Sequence, residues 1–320
     1  MTVSYRNQQV EEILGAFRAN KENGIEQYEK SFCSDLQIDG ELFIRFHERE
    51  GAVVITPLPP FEIDWIETET GFSKRPVNYH QIGTQSSGKP GDAEPINADI
   101  PAAEILHVAI NQMSYETRGR PELFRILPWL KAYKDWLEGR VRQNHNRGLV
   151  IGTITLDGAD GGQVTAKRSQ YKQPPAPGSW AIKNDKEHWE ILDSKVGAAD
   201  VAEDGRQIKL MSAVGTQMPE YMLSDGANAN LASATAQQMP SLRKFSHFQD
   251  ILIYQVWLPI YKHVLQAAID TGTLPTEVVE QDAEGDPILD ADGRPRTIDA
   301  LKAFDVSGPE LESDDPKDLS

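Results

Sequence analysis

From Thr235 to Gly272 apolar residues recur at helical spacing almost without a break. Leu242, Phe245, Phe248, Ile251, Leu252, Val256, Ile260, Val264 and Ala268 all fall on one side of such a helix. At ~1.5 Å per residue it would exceed ~50 Å, so any compact fold must be built along it. Pro259 stands in its middle, where the ring clashes with the preceding turn, and predicts a kink. Ahead of it lies a shorter helix, Ala199–Val214, in which Gly205 costs ~1 kcal/mol relative to alanine. Between the two, Thr216–Ser233 is a loop of small and amide residues. None of the three offers evident catalytic chemistry.

The rest of the chain reads as α+β. Residues 4–32 are helical in pattern, with Val10, Ile13, Leu14 and Phe17 on one side and a continuation after Asn23-Gly24. Short alternating segments around Asp39-Gly40 and Glu50-Gly51 mark antiparallel hairpins, and Asn78–Ile82 is a further strand. Ser86–Ile100 is a loop by composition, and Ile105–Ile110 a short strand. Pro121 suits the first turn of a helix running to Arg147, and Pro128 predicts a bend or restart within it. Leu149–Leu156 is a strand, Asp157–Gly162 a turn and Gln163–Gly178 an extended basic segment. Ser179–Ile191 reads as two short strands turning at Asn184-Asp185. A small β module thus sits at the tip of a helical hairpin. Thr276–Ile298 is a β-hairpin excursion with acidic turns, followed by a short strand at FDVS and an acidic end.

Charge and motifs narrow the function. Net charge is −17, which argues against a general nucleic-acid coat. The balance is local, however: residues 106–274 hold 19 basic and 17 acidic side chains, and Arg118–Arg147 carries eight Arg or Lys against three carboxylates. That helix either faces phosphate or presents a solvated, ion-paired face. One cysteine, Cys33, excludes an internal disulfide and fits a reducing setting. The start has no signal-peptide pattern, and Ile251–Tyr261 falls short of the ~18 apolar residues of a membrane span. Nucleotide-binding, zincin and nucleophile-elbow motifs are all missing. His145, His188, His247 and His263 lack carboxylates at ligand spacing, so neither metal nor cofactor is expected. The turns Asp157–Gly162 and Asp282–Gly293 resemble calcium loops in composition only. Trp180 and Trp189 form either a cross-strand contact or a partner-binding patch. The chain is not expected to be an enzyme.

Four segments, in order, carry a resemblance: ADIPAAEILHVAI with RGRPELFRILPWLKAYKDWLEGRVRQN; the β-rich insert 149–193; AEDGRQIKLMSAVGTQMPEYMLSDGANANLASA; and QMPSLRKFSHFQDILIYQVWLPIYKHVLQAAIDTG. Together they resemble the portal proteins (head-to-tail connectors) of tailed bacteriophages, over roughly residues 30–315. The resemblance implies a wing at 1–118, stem helices at 119–147 and 199–214, and a clip at 148–198. It further implies a tunnel loop at 215–233 and a wing part at 234–320 containing the long helix kinked at Pro259. Most portal proteins have a longer N-terminal region and usually continue into crown helices, so the resemblance implies either a minimal or truncated portal or a split gene.

The family's role is a homo-oligomeric ring, usually a dodecamer, at one capsid vertex of the virion, assembled in the host cytoplasm. It passes double-stranded DNA during packaging and ejection, without sequence specificity. The implied partners are the large terminase subunit, head-completion and neck proteins, and major capsid and scaffold proteins; no membrane is involved. The tunnel loop would present Asp225, Gly226, Asn228, Asn230 and Ser233, small polar groups without the fixed cations that grip phosphate. Arg140, Arg142 and Arg147 of the stem and Lys167, Arg168 and Lys172 of the clip would meet DNA or acidic partners. Two other readings stand beside this one: another phage minor capsid or neck protein, and a Mg²⁺-dependent nucleic-acid enzyme using the acidic turns.

Overall fold

The computed structural model describes residues 1–49, 52–71, 75–86, 93–147, 152–170, 185–191, 198–223 and 231–311. These fall into two compact units, Met1–Ile126 with Ala213–Ser320, and Leu127–Ser212. The fold is α+β.

In the first unit the chain opens with strand β1 (Thr2–Tyr5), which pairs antiparallel with β12 (Phe304–Ser307) near the other end. The expected helix over residues 4–32 is therefore a strand and two helices, α1 (Gln8–Ala19) and α2 (Ile25–Asp39). Asn7 starts α1 by accepting the amides of Gln9 and Val10. Asn23, fully buried, ends the run: its side chain donates to the Phe17 carbonyl and accepts the Ile55 amide. Gly24 then takes positive φ, which restarts the helix in a new direction.

Strand β2 (Glu41–Arg49) lies between β3 (Ala52–Leu58) and β7 (Ile105–Ala109). Leu42, Ile44 and Phe46 of β2 join the main core with α1, α2 and the long helix, whereas Phe43 faces a second core with Ile63, Tyr79 and Ile100. A strand buried on both sides this way must be apolar at consecutive positions. The second core belongs to a meander of β4 (Ile63–Thr68), β5 (Pro76–Ser86) and β6 (Ala93–Pro101). Strand β6 occupies most of what composition marks as a loop. Its prolines are tolerated because it is an edge strand, with one side free of ladder bonds. The acidic excursion is a hairpin of β10 (Glu277–Val279) and β11 (Thr297–Asp299).

The second unit starts with α3 (Leu127–Arg147), preceded by a 3₁₀ turn at Glu122–Arg125. Pro128 thus sits in the first helical turn. Then follow β8 (Gly152–Leu156), α4 (Gly161–Gln170), β9 (Glu187–Ile191) and α5 (Ala198–Thr216). One expectation changes here. Residues 163–170 are helical, because Asp160 accepts the Gln163 amide (2.8 Å) while the Gln163 side chain accepts the Asp160 amide (3.2 Å), a reciprocal cap. Strand β9 pairs with β8 from Gly152↔Ile191 to Leu156↔Glu187; the strand expected ahead of the Asn184-Asp185 turn lies outside the described residues.

A short helix α6 (Glu220–Leu223) falls within the expected loop 215–233, and α7 (Leu231–Asp250) already includes its last three residues. Helix α7 carries Pro240 and passes into a π-helical stretch, Ile251–Trp257; α8 (Leu258–Asp270) resumes α geometry with Pro259 as its second residue. The π winding lets the Leu258 amide bond the Ile253 carbonyl, directly ahead of a proline that has no amide to donate.

Gly205 has a packing reason: a Cβ there would meet the Trp136 ring at 2.4 Å, whereas one at Gly139 would meet nothing within 4 Å. Gly139→Ala should therefore raise the melting temperature through helix propensity (~1 kcal/mol). Gly205→Ala should lower it despite the same gain; circular-dichroism melts of the two variants check this.

Candidate functional site

The features that bear on function sit where the chain leaves the first unit and re-enters it. Gly40 ends α2 at φ 82°, and its carbonyl accepts the Ile110 amide at 2.9 Å. A Cβ on Gly40 would lie 2.1 Å from the Arg120 carbonyl carbon, and one on Gly119 would lie 2.1 Å from the Gly40 oxygen. Only glycines allow backbones this close. Segment 118–121 is thereby laid against the α2–β2 junction.

Glu41 holds it there. Its carboxylate is 3% exposed and accepts Arg118 Nε at 2.8 Å, Arg118 Nη2 at 2.5 Å and the Gly119 amide at 3.0 Å. His107 Nε2 lies 3.3 Å away, with its ring stacked on Phe43. The same guanidinium donates to the carbonyls of Ile63 (2.7 Å) and Pro60 (3.0 Å), bridging both cores. Burial pushes the Glu41 carboxyl up, but the bonds from His107, Arg118 and Gly119 together with the Arg118 charge outweigh it, so it titrates below the usual carboxylate range.

A second cluster fixes the root of the other crossing. Lys244 on α7 places its ammonium 2.7 Å from Glu122 and 2.7 Å from the Thr216 carbonyl at the end of α5. Asn111 donates to the other Glu122 oxygen at 2.8 Å. Ser241, one turn earlier, donates to the Gln217 carbonyl at 3.1 Å. Two side chains of α7 thus satisfy carbonyls left open where α5 ends. The Glu122 carboxyl, raised by burial, is brought below its ordinary value by Lys244 and Asn111. Ile126 packs on Gly215, where a Cβ would come within 2.2 Å of it.

The residues expected to carry function are scattered by comparison. Asp225, Gly226, Asn228, Asn230 and Lys172 lie outside the described residues, as does Trp180. Ser233 is in α7 and Arg147 ends α3. Arg140 is half-buried; Arg142 is exposed and lies 3.5 Å from Glu138 one turn back. Lys167 is 2.9 Å from the buried carboxylate of Glu187 within the second unit, and Arg168 is exposed. Among the described residues, no group of three or more His, Cys, Asp or Glu side chains is placed to hold a metal ion. No described helix is long and apolar enough to cross a membrane. Glu41, Glu122 and Lys244 were not singled out by sequence; the RGRP turn at 118–121 was the one signal near them.

No family model matches the sequence, and no curated protein matches it. Solved structures do. A chain in the neck of the native gene transfer agent (GTA) particle, computed with C12 symmetry, is 14% identical with a TM-score of 0.51, covering 86% of this chain and 81% of that one. A chain of the native GTA virion is 15% identical (TM-score 0.48; 83% and 70% covered). A chain in the neck of the empty GTA particle, computed with C6 symmetry, is 14% identical (TM-score 0.45; 73% of this chain). This chain spans 61% of the length of that last one. At such identity the likeness to the first of these describes the fold.

Because the Glu41 carboxyl is lowered on folding, its contribution is full above the ordinary glutamate pKa of ~4.3 and is lost as pH falls through the folded value. Glu41→Gln should cost about 2 kcal/mol at pH 7, below the full buried-pair range because Arg118 is partly exposed. The gap to wild type should close as pH drops below ~4, as urea melts across pH would show.

Proposed function

We propose that the chain is a structural subunit of a phage-like particle and, more specifically, a portal-type subunit: one member of a ring that passes double-stranded DNA. The single observation that carries this reading is the fold likeness, at a TM-score of 0.51 over 86% of the chain, to a neck chain of a particle computed with C12 symmetry. The ordered resemblance to portal sequences adds the finer assignment. In it residues 1–118 and 234–320 are the wing, 119–147 and 199–214 the stem helices, 148–198 the clip facing terminase and neck proteins, and 215–233 the tunnel loop of the channel.

Within the first unit, Arg118–Glu41 and Lys244–Glu122 each fix a segment next to the point where the chain leaves or re-enters it. A neck component that does not line a DNA channel is the second reading, favoured by the neck origin of the matched structure with the TM-score of 0.51.

Mass photometry of the purified full chain should give one narrow oligomer class of about a dozen copies. A monomer at all concentrations contradicts both readings. Deleting Asp225–Asn230, which leaves α7 intact, should spare the oligomer but abolish DNA packaging in a particle-assembly assay; undiminished packaging points to the neck component.

A further inference from the structure

Two grooves run side by side along α7 in the first unit, and Arg243 lines both. The first, about 590 Å³, is walled by Arg125, Pro240, Arg243, Lys244 and His247. Its one carboxylate, Glu122, is already held by Lys244 and Asn111. Arg125 and Arg243 are exposed and enter no ion pair among the described residues. The second groove, about 610 Å³, is where the chain leaves β12. Strand β12 touches the Ile251–Trp257 stretch. Gly308 then lies so close to the Gln249 side chain that a Cβ would clash, and Gln249 donates to the Pro309 carbonyl at 2.8 Å. From β12 onward the chain therefore runs along α7 toward its N-terminus. Asp250, the carboxylate of α7 in this groove, lies behind that point, and Leu311 lines the groove with Met239, Leu242 and Arg243 ahead of it.

Beyond Leu311 the sequence reads ESDDPKDLS, four carboxylates against Lys317 alone. Arg243 lies six residues back along α7 from Gln249, about 9 Å at ~1.5 Å per residue, which an extended chain covers in about three residues. Counted from Pro309, Glu312 arrives level with Arg243. Asp314 and Asp315 then pass the Pro240 end, where the first groove holds Arg125. We propose that residues 312–318 lie along α7 of their own chain and cover its cationic groove, Glu312 on Arg243 and Asp314–Asp315 at Arg125. Charge complementarity and the course already set by Gln249 select this occupant over an outside anion. The tether keeps the local concentration of carboxylates high, so weak, salt-screened ion pairs are enough to hold the segment. The seat is independent of the ring reading, because every group in it belongs to one chain.

Phenylglyoxal modification of the full chain, read arginine by arginine in a mass spectrometer, tests the cover. Arg125 and Arg243 should react slowly in the wild type. Their rates should rise severalfold in a chain ending at Leu311, and equally in E312Q/D314N/D315N/D318N, which keeps the length of the segment. The exposed Arg294 on the acidic hairpin should react alike in all three and serves as reference. Equal rates at Arg125 and Arg243 in all three chains would overturn the proposal. Slow reaction that survives both changes would overturn it too, since something other than this segment would then cover the groove. A second measurement asks whose segment it is: M239C with S313C, level in the counted register, treated with a short bis-maleimide in the Cys33→Ala background. A linked peptide pair within single-chain bands is expected; a covalent dimer instead would overturn the seat within one chain.

Discussion

The bidentate bond between Arg118 and the buried carboxylate of Glu41 is the interaction on which the arrangement depends. It joins β2, the strand that separates the two cores, to the segment that feeds α3. Burying a carboxylate costs several kcal/mol unless its lone pairs are satisfied. Here three donors meet it, and the guanidinium is itself held by two backbone carbonyls and the face of Phe43. Replacing one partner would leave the other charge unpaired beside both cores. The exit of the chain from the first unit is therefore fixed by electrostatics, and the glycines at 40 and 119 make the approach sterically possible.

The return of the chain is fixed by different means. Lys244 and Ser241 cap α5 from α7, and the same lysine neutralises Glu122 just ahead of α3. Helix α7 thus touches both crossings and leads, through the π-helical stretch, into the main core at Val256, Trp257, Ile260 and Tyr261. A displacement of α7 would be felt at both roots and in the core. One long helical run thus meets both crossings and the main core.

Much of the fold was legible in the sequence because it follows period. Val10, Leu14 and Phe17 read as a helix face and are buried; the alternation around Glu50-Gly51 reads as a hairpin, and β2 and β3 pair there. Local chemistry was legible but overlooked in α4, where Asp160 and Gln163 spell out a cap at the standard spacing. Strand β6 was hidden because its prolines and glycine-rich approach signal a loop, and only its edge position makes them harmless. The π winding leaves no mark in the apolar pattern. The anchors were out of reach for a simpler reason: Glu41 and Arg118 are 77 residues apart, and nothing local to either announces the other. Of the residues expected to face DNA, Lys167 is engaged with Glu187, a partner that charge counting could not assign to it.

The ring reading proposed above assigns the channel-facing role to the segment 215–233. An electron-microscopy reconstruction of the purified full-length protein, with a heavy-atom maleimide label on N228C in the Cys33→Ala background, tests this most directly. The predicted result is a closed, rotationally symmetric ring with the label density on the rim of a channel wide enough for a DNA duplex. An open filament, an unassembled chain, or label on the outer circumference would contradict it.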